Sequence, residues 1–231
     1  MHHEIGKKNK IFFYIFLFIL LTSLNNKSFL KKINSLLKIS NIEIDGLSEN
    51  DNNQLSKKFK VLLFQNIFLV NHESFKKILN KNNLIQSFNI KKNYPNSILI
   101  KIEKTSFLAI TNYNNKKYIV ASNGKLIKHE NIKEIKKDLP YIFGKINYLD
   151  FITLKKIIDE SEFEYENIQS LYYFPNKRWN MKTKDNFLIK LPDTDILASL
   201  NIANKIIKSK NFINENIIDL RIPNYIITSY D

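Results

Sequence analysis

The chain has 231 residues, 44% of them hydrophobic and 13% aromatic, with a formal net charge of +14. That apolar content excludes a wholly disordered chain, and the absence of Cys excludes disulfides, thiolate metal sites and cysteine nucleophiles. The positive balance does not indicate nucleic acid: Arg178 and Arg221 are the only arginines, whereas Arg supplies most bidentate readout of phosphate and guanine. The lysines are spread along the chain, and the crowding of Lys, Asn and Ile follows an A/T-rich coding bias.

Residues 1–10 form a short basic tail with Lys7, Lys8 and Lys10, followed by the uncharged run IFFYIFLFILLTSL. Fourteen helical residues rise only about 21 Å, against a hydrocarbon core of roughly 30 Å, but continuation to Leu30 supplies the missing length. The run therefore reads as an uncleaved signal anchor over residues 11–30. Ile11, Phe12, Phe13, Ile15, Phe16, Leu17, Phe18, Ile19, Leu20 and Leu21 would lie within the bilayer, and a juxtamembrane helix over 31–38 would follow. A cleaved signal peptide is the alternative, although Thr22-Ser23-Leu24-Asn25-Asn26 matches a small-residue cleavage site poorly. Lysines flank the run on both sides, so the positive-inside rule leaves orientation open. Export of everything after the run is expected from its N-terminal place.

Ile42 and Ile44 alternate with polar residues in a strand that ends at Gly46. A helical pattern with Leu55, Phe59, Leu62 and Leu63 follows. A second helix carries Phe75, Ile78 and Leu79 on one face, with Asn71 as its cap and Glu73 in its first turn. Phe88 and Ile90 alternate, Tyr94-Pro95-Asn96-Ser97 makes a turn, and Ile98, Ile100 and Ile102 face one side of a further strand. This βααββ order resembles a POTRA domain over residues 39–104. The resemblance rests on Ile42-Glu43-Ile44-Asp45-Gly46, Asn66-Ile67-Phe68 and Asn93-Tyr94-Pro95-Asn96-Ser97-Ile98-Leu99-Ile100-Lys101-Ile102-Glu103.

Beyond residue 105, Lys117–Ile127 reads as a hairpin around Asn123-Gly124, and a helix is expected from Phe151 to Glu160. Lys177-Arg178-Trp179-Asn180 opens a strand and Phe187–Leu191 makes the next. A helix from about Asp195 to Lys208 would bury Ile196, Leu200, Ala203 and Ile207. With Leu139-Pro140-Tyr141-Ile142-Phe143-Gly144 and Ile217-Ile218-Asp219-Leu220-Arg221, these segments resemble the β-domain of the FtsQ/DivIB cell division family. The fold class expected is α+β: an N-terminal transmembrane helix, a POTRA domain, then a mixed β-sheet domain with flanking helices over 105–231.

No catalytic or metal constellation is visible. The four glycines are scattered, the four histidines form no metal-binding pair, and Glu160, Glu162, Glu164 and Glu166 read as a solvated acidic run. Trp179 reads as core, and Asp219 with Arg221 as a structural ion pair. No enzyme activity, cofactor, nucleic acid or small-molecule substrate is expected.

The resemblance implies a single-pass inner-membrane scaffold at the bacterial division septum, with its C-terminal domain in the periplasm. Its partners would be FtsB- and FtsL-like bitopic proteins, with FtsK, FtsW and FtsI as further candidates. It further implies partner contacts by Arg178, Ile222, Asn224, Tyr225, Ile227 and Tyr230, with β-augmentation centred on Tyr225 to Tyr230 because Pro223 donates no main-chain hydrogen bond. The alternatives are a POTRA-bearing translocation or assembly component, and a membrane-tethered enzyme whose site residues are dispersed.

Overall fold

The computed structural model describes residues 7–24, 27–132, 138–209, 215–222 and 225–230. The chain divides into two compact units: Met1–Asn82 with Ser87–Glu103, and Asn83–Gln86 with Lys104–Asp231.

The N-terminal run forms helix α1 (Lys7–Leu24), and helix α2 spans Lys27–Leu36. The residues Ile11 to Leu21 are all exposed. Residues 25 and 26, within the helix expected over 11–30, lie outside the described residues, and segments 9–22 and 27–36 on either side of them lie 85° apart. The apolar pattern stops at Asn25-Asn26-Lys27, where polar side chains interrupt it. The helix expected at 31–38 accordingly starts earlier, at Lys27, and ends at Leu36. Among the described residues no single helix is long and apolar enough to cross a bilayer, while the bent pair has the length and composition to do so.

The rest of the first unit follows the order β1 (Asn41–Asp45), α3 (Glu49–Phe59), α4 (His72–Leu79), β2 (Ile85–Asn93) and β3 (Ser97–Lys104). Local chemistry sets the helix starts: Ser48 Oγ accepts from Asp51 N, and Asn71 Oδ1 accepts from Glu73 N. The sheet order is β1-β3-β2, with β1 parallel to β3 and Ile44 opposite Ile100. Leu55, Phe59, Phe75 and Leu79 are buried, as are Ile98, Ile100 and Ile102. The rings of Phe59 and Phe75 stack 5.7 Å apart. Gly46 ends β1 at φ +114, where a Cβ would lie 1.7 Å from Ile102 O. Only glycine lets the chain turn there.

The second unit is a nine-stranded sheet. Its strands are β4 (Phe107–Tyr113), β5 (Lys116–Ala121), β6 (Leu126–Lys128), β7 (Tyr141–Phe143), β8 (Ile168–Tyr173), β9 (Trp179–Thr183), β10 (Leu188–Lys190), β11 (Ile217–Asp219) and β12 (Ile227–Ser229). They lie in the order β12-β11-β10-β9-β8-β7-β4-β5-β6. The β4–β7 ladder is short, pairing Ile110 with Tyr141 and Thr111 with Ile142. Helices α5 (Tyr148–Glu160) and α6 (Ile196–Ser209) pack against the sheet. Phe151, Leu154, Ile158, Leu200 and Ala203 meet Leu171, Trp179, Met181, Ile189 and Ile218 in one core. On α6, Ile206 is buried as well, and the expected Ile196 and Ile207 pack half-buried against the same core.

Ile100→Ala is expected to cost about 2–5 kcal/mol in chemical denaturation, because a fully buried side chain is deleted. Ile100→Asp is expected to leave the first unit unfolded, since an uncompensated charge would enter its core. Wild-type protection of β3 amides from hydrogen exchange in Ile100→Asp would contradict the inward register.

Candidate functional site

Strand β12 ends the sheet. It pairs antiparallel with β11, setting Ile217 opposite Ser229, Ile218 opposite Thr228 and Asp219 opposite Ile227. The outer side of β12 meets no described strand. Backbone parity identifies which groups face outward. Leu188 N donates to Asn216 O and Leu220 N donates to Lys190 O, so the even residues of β11 turn toward β10. Ile217 and Asp219 then turn toward β12, and Ile227 and Ser229 are the residues that bond back to them. In keeping with this, Ser229 O also accepts from Asn216 N at 3.2 Å. By the same alternation Thr228, flanked by Ile226 and Tyr230, directs its N–H and C=O away from the sheet.

The turn into this edge is fixed by Asp219 and Arg221. Asp219 Oδ1 accepts from Arg221 N at 3.1 Å and from Arg221 Nε at 2.8 Å, Oδ2 accepts from Arg221 Nη2, and Lys190 Nζ stands 4.0 Å away. These bonds from Arg221, chiefly those of its side chain, hold the Asp219 carboxyl below its ordinary range, with Lys190 adding and burial opposing. The pair is structural, as its sequence setting suggested.

The structure brings together Ile222, Tyr225, Ile227 and Tyr230, which are all exposed along this edge. Asn224 and Pro223 lie outside the described residues. Arg178 stands apart. The ladder across the sheet runs Asn180, Lys190, Asp219, Ile227, so Arg178 is at the Tyr225 end but three strands inward, roughly 14 Å away. It is half-buried in the β8–β9 turn, with its guanidinium beside the Asn176 side chain. Trp179 is buried against Tyr173, with ring centroids 4.8 Å apart, and is core as expected.

A groove of about 330 Å³ runs beside the edge, between the start of α6 and the residues Leu220, Ile222, Tyr225 and Ile226. Ala198, Ile202, Leu220, Ile222, Tyr225 and Ile226 supply its apolar lining, and Thr194, Asp195 and Ser199 make its polar side. The α6 contribution was missed from sequence because Ala198 and Ile202 lie off the helix face that the Leu200–Ala203 periodicity marks. Their own i, i+4 spacing was the available signal. Among the described residues no three His, Cys, Asp or Glu side chains group so as to hold a metal.

Two domain descriptions match the chain. Residues 37–104 match the POTRA domain, FtsQ-type, and residues 109–221 match the cell division protein FtsQ/DivIB, C-terminal. The cell division protein FtsQ of Rickettsia conorii is 24% identical over 196 residues, covering 84% of this chain and 73% of that protein. The Rickettsia felis protein of the same name is 24% identical over 200 residues, with the same coverage. The major extracytoplasmic domain of DivIB from Geobacillus stearothermophilus overlaps 47% of this chain and 98% of its own, at 15% identity and a TM-score of 0.35. A POTRA domain followed by a β-domain with an open terminal strand defines a two-domain, POTRA-bearing protein. The chain belongs to the FtsQ/DivIB family of cell division proteins.

A pH series tests the edge turn. A carboxylate with a depressed folded pKa stabilises the fold above its unfolded value, ordinarily 3.8 for Asp219, and loses that contribution as pH falls through the lower folded value. Asp219→Asn is therefore expected to destabilise the protein by on the order of 1 kcal/mol near neutral pH. The deficit should shrink toward zero in acid below that folded value. A deficit independent of pH would exclude the charge as its source.

Proposed function

We propose that this chain is a non-catalytic, single-pass membrane scaffold of the bacterial divisome, anchored by residues 11–30 with its two units on the periplasmic side. The observation that carries the reading is the β12 edge, whose outward N–H and C=O groups at Ile226, Thr228 and Tyr230 can accept one further strand. Family membership supports the setting in cell division, and the exposed apolar α1 supports membrane anchoring.

The partner is an extended segment of an FtsB-like bitopic protein, acting with its FtsL-like companion. FtsK, FtsW and FtsI are further candidates. Main-chain bonds along β12 supply affinity, and side chains give specificity. Ile222, Tyr225, Ile227 and Tyr230 line the path, and Asn224 is assigned to it from the family pattern. Tyr suits this position because it offers a broad apolar face with a hydroxyl that can remain hydrated. Apolar partner side chains would enter the adjoining groove. An added strand alone does not reach Arg178. Its contribution requires a second partner segment crossing that end of the sheet, and its effect would weaken with added salt.

Thr228→Pro removes one outward donor without removing a β11–β12 bond. Its expected effect is loss of FtsB-like partner capture with an unchanged melting temperature; deleting residues 225–231 should also abolish capture and leave the rest folded, at a lower melting temperature because the β11–β12 bonds go with it. Full capture by either folded variant would remove β12 from consideration. Topology has its own readout. A C-terminal reporter active only outside the cytoplasm should be active, the mature protein should keep its N-terminus, and a fluorescent fusion should gather at midcell. Reporter activity only in the cytoplasm would overturn the proposed orientation.

A further inference from the structure

Three segments of the first unit meet at one end. Ile39 N donates to Gln65 O, Phe64 N to Ile39 O, and Ile67 N to Leu37 O. Ser40 N donates to Asn96 O. The Lys92 ammonium donates to the carbonyls of Ile67 (2.7 Å) and Val70 (3.0 Å). The loop between α3 and α4 is thus tied on one side to the chain leaving α2 and on the other to β2.

This well-bonded loop directs its largest apolar side chains outward. Ile67 and Val70 are buried, while Phe64 is 73% exposed, Phe68 57% and Leu69 82%. The Phe68 ring stacks on exposed Tyr94 at 4.8 Å, and Val61 stands exposed on the same loop. Asn66 Oδ1 accepts from Phe68 N, and Asn66 O accepts from Leu69 N and Val70 N. Phe64 holds φ +64, a conformation costly for a bulky residue and maintained only by its surroundings. A soluble surface gains nothing from presenting four large apolar side chains on so constrained a loop.

Charge indicates what covers them. Segments 27–42, 57–72 and 90–98 carry four, three and two lysines and contain no Asp or Glu. The unit's acidic residues from Lys27 onward, Glu43, Asp45, Glu49, Asp51, Glu73 and Glu103, all lie outside these segments. Lys38 and Lys60 are exposed beside the loop. Amphipathic α2, with Phe29 and Leu30 exposed among Lys27, Lys31 and Lys32, connects this end to the apolar α1. Aromatic and aliphatic side chains ringed by lysine, directly along the chain from an apolar helix, suit a bilayer interface with anionic headgroups.

We infer that this end of the first unit docks on an anionic bilayer surface, with Phe64, Phe68 and Leu69 entering the interface and Lys38 and Lys60 facing headgroups. The inference rests on the reading of α1 as a membrane anchor.

The absence of Cys allows single spin labels to be placed in the full chain. Phe16→Cys, Leu69→Cys and Glu49→Cys are reconstituted separately in vesicles of phosphatidylcholine with phosphatidylglycerol, and collision with oxygen is compared with collision with a water-soluble nickel reagent. Glu49 begins α3, about 16 Å along the helix from the loop, and serves as the aqueous reference. Oxygen-dominated collision is expected at Phe16 and Leu69, and nickel-dominated collision at Glu49. Lys38→Glu with Lys60→Glu, or vesicles of phosphatidylcholine alone, should return the Leu69 label to nickel-dominated collision while Phe16 stays buried. A Leu69 label that matches Glu49 while Phe16 reports membrane would overturn the docking and leave the anchor standing. A water-exposed Phe16 label would instead overturn the anchor, and the Leu69 label would still decide the docking by the same comparison. Melting temperatures equal to wild type confirm that the labelled chains are folded.

Discussion

Every strand carries two rows of backbone hydrogen-bonding groups, and in a sheet each row must find a partner or water. In the nine-stranded sheet this constraint passes from strand to strand. The parallel β10–β11 pair uses the even residues of β11, so its odd residues require β12. Satisfying β11 then leaves the outer row of β12 open. The open edge is a result of sheet parity as much as of the side chains along it. Asp219 and Arg221 bond to each other where the chain leaves β11.

Much of the first unit could be read from sequence because its elements are half-buried and keep clean periods. Ile98, Ile100 and Ile102 alternate with Leu99, Lys101 and Glu103 and are buried, and the cap at Asn71 acts through the expected chemistry. The second unit was less open to this approach. Strands β4 and β8 went unassigned: Ala109, Ile110 and Thr111 are buried in succession, as are Ser170 and Leu171. Central strands covered on both faces lose the period-two signal. The edge residues Tyr225 to Tyr230 were visible as a strand candidate, but the groove was not. It depends on the start of α6 lying near Leu220, Ile222, Tyr225 and Ile226, a long-range relation that no local pattern contains. Arg178 and Tyr225 were grouped as partner contacts by motif likeness, and the register sets them three strands apart.

The two units present unlike surfaces. The edge of the second offers directional backbone groups, which suit a partner of matching extended shape. The loop of the first offers apolar side chains within a lysine-rich, acid-free surround, which needs no matching shape. Their sequence signatures differ in the same way. The first is a parity pattern that only a paired sheet makes meaningful, while the second is a distribution of charge that is visible as soon as the converging segments are known.

The two-position ladder between β4 and β7 has a thermal consequence. Ala109 and Val120 on one side of that seam share a core with Ile142 and Leu171 on the other, so side-chain burial joins the halves more than backbone bonding does. Burial of apolar surface weakens on cooling. The sheet should therefore loosen first along its middle in the cold, between two strips that each keep their own hydrogen-bonded hairpins.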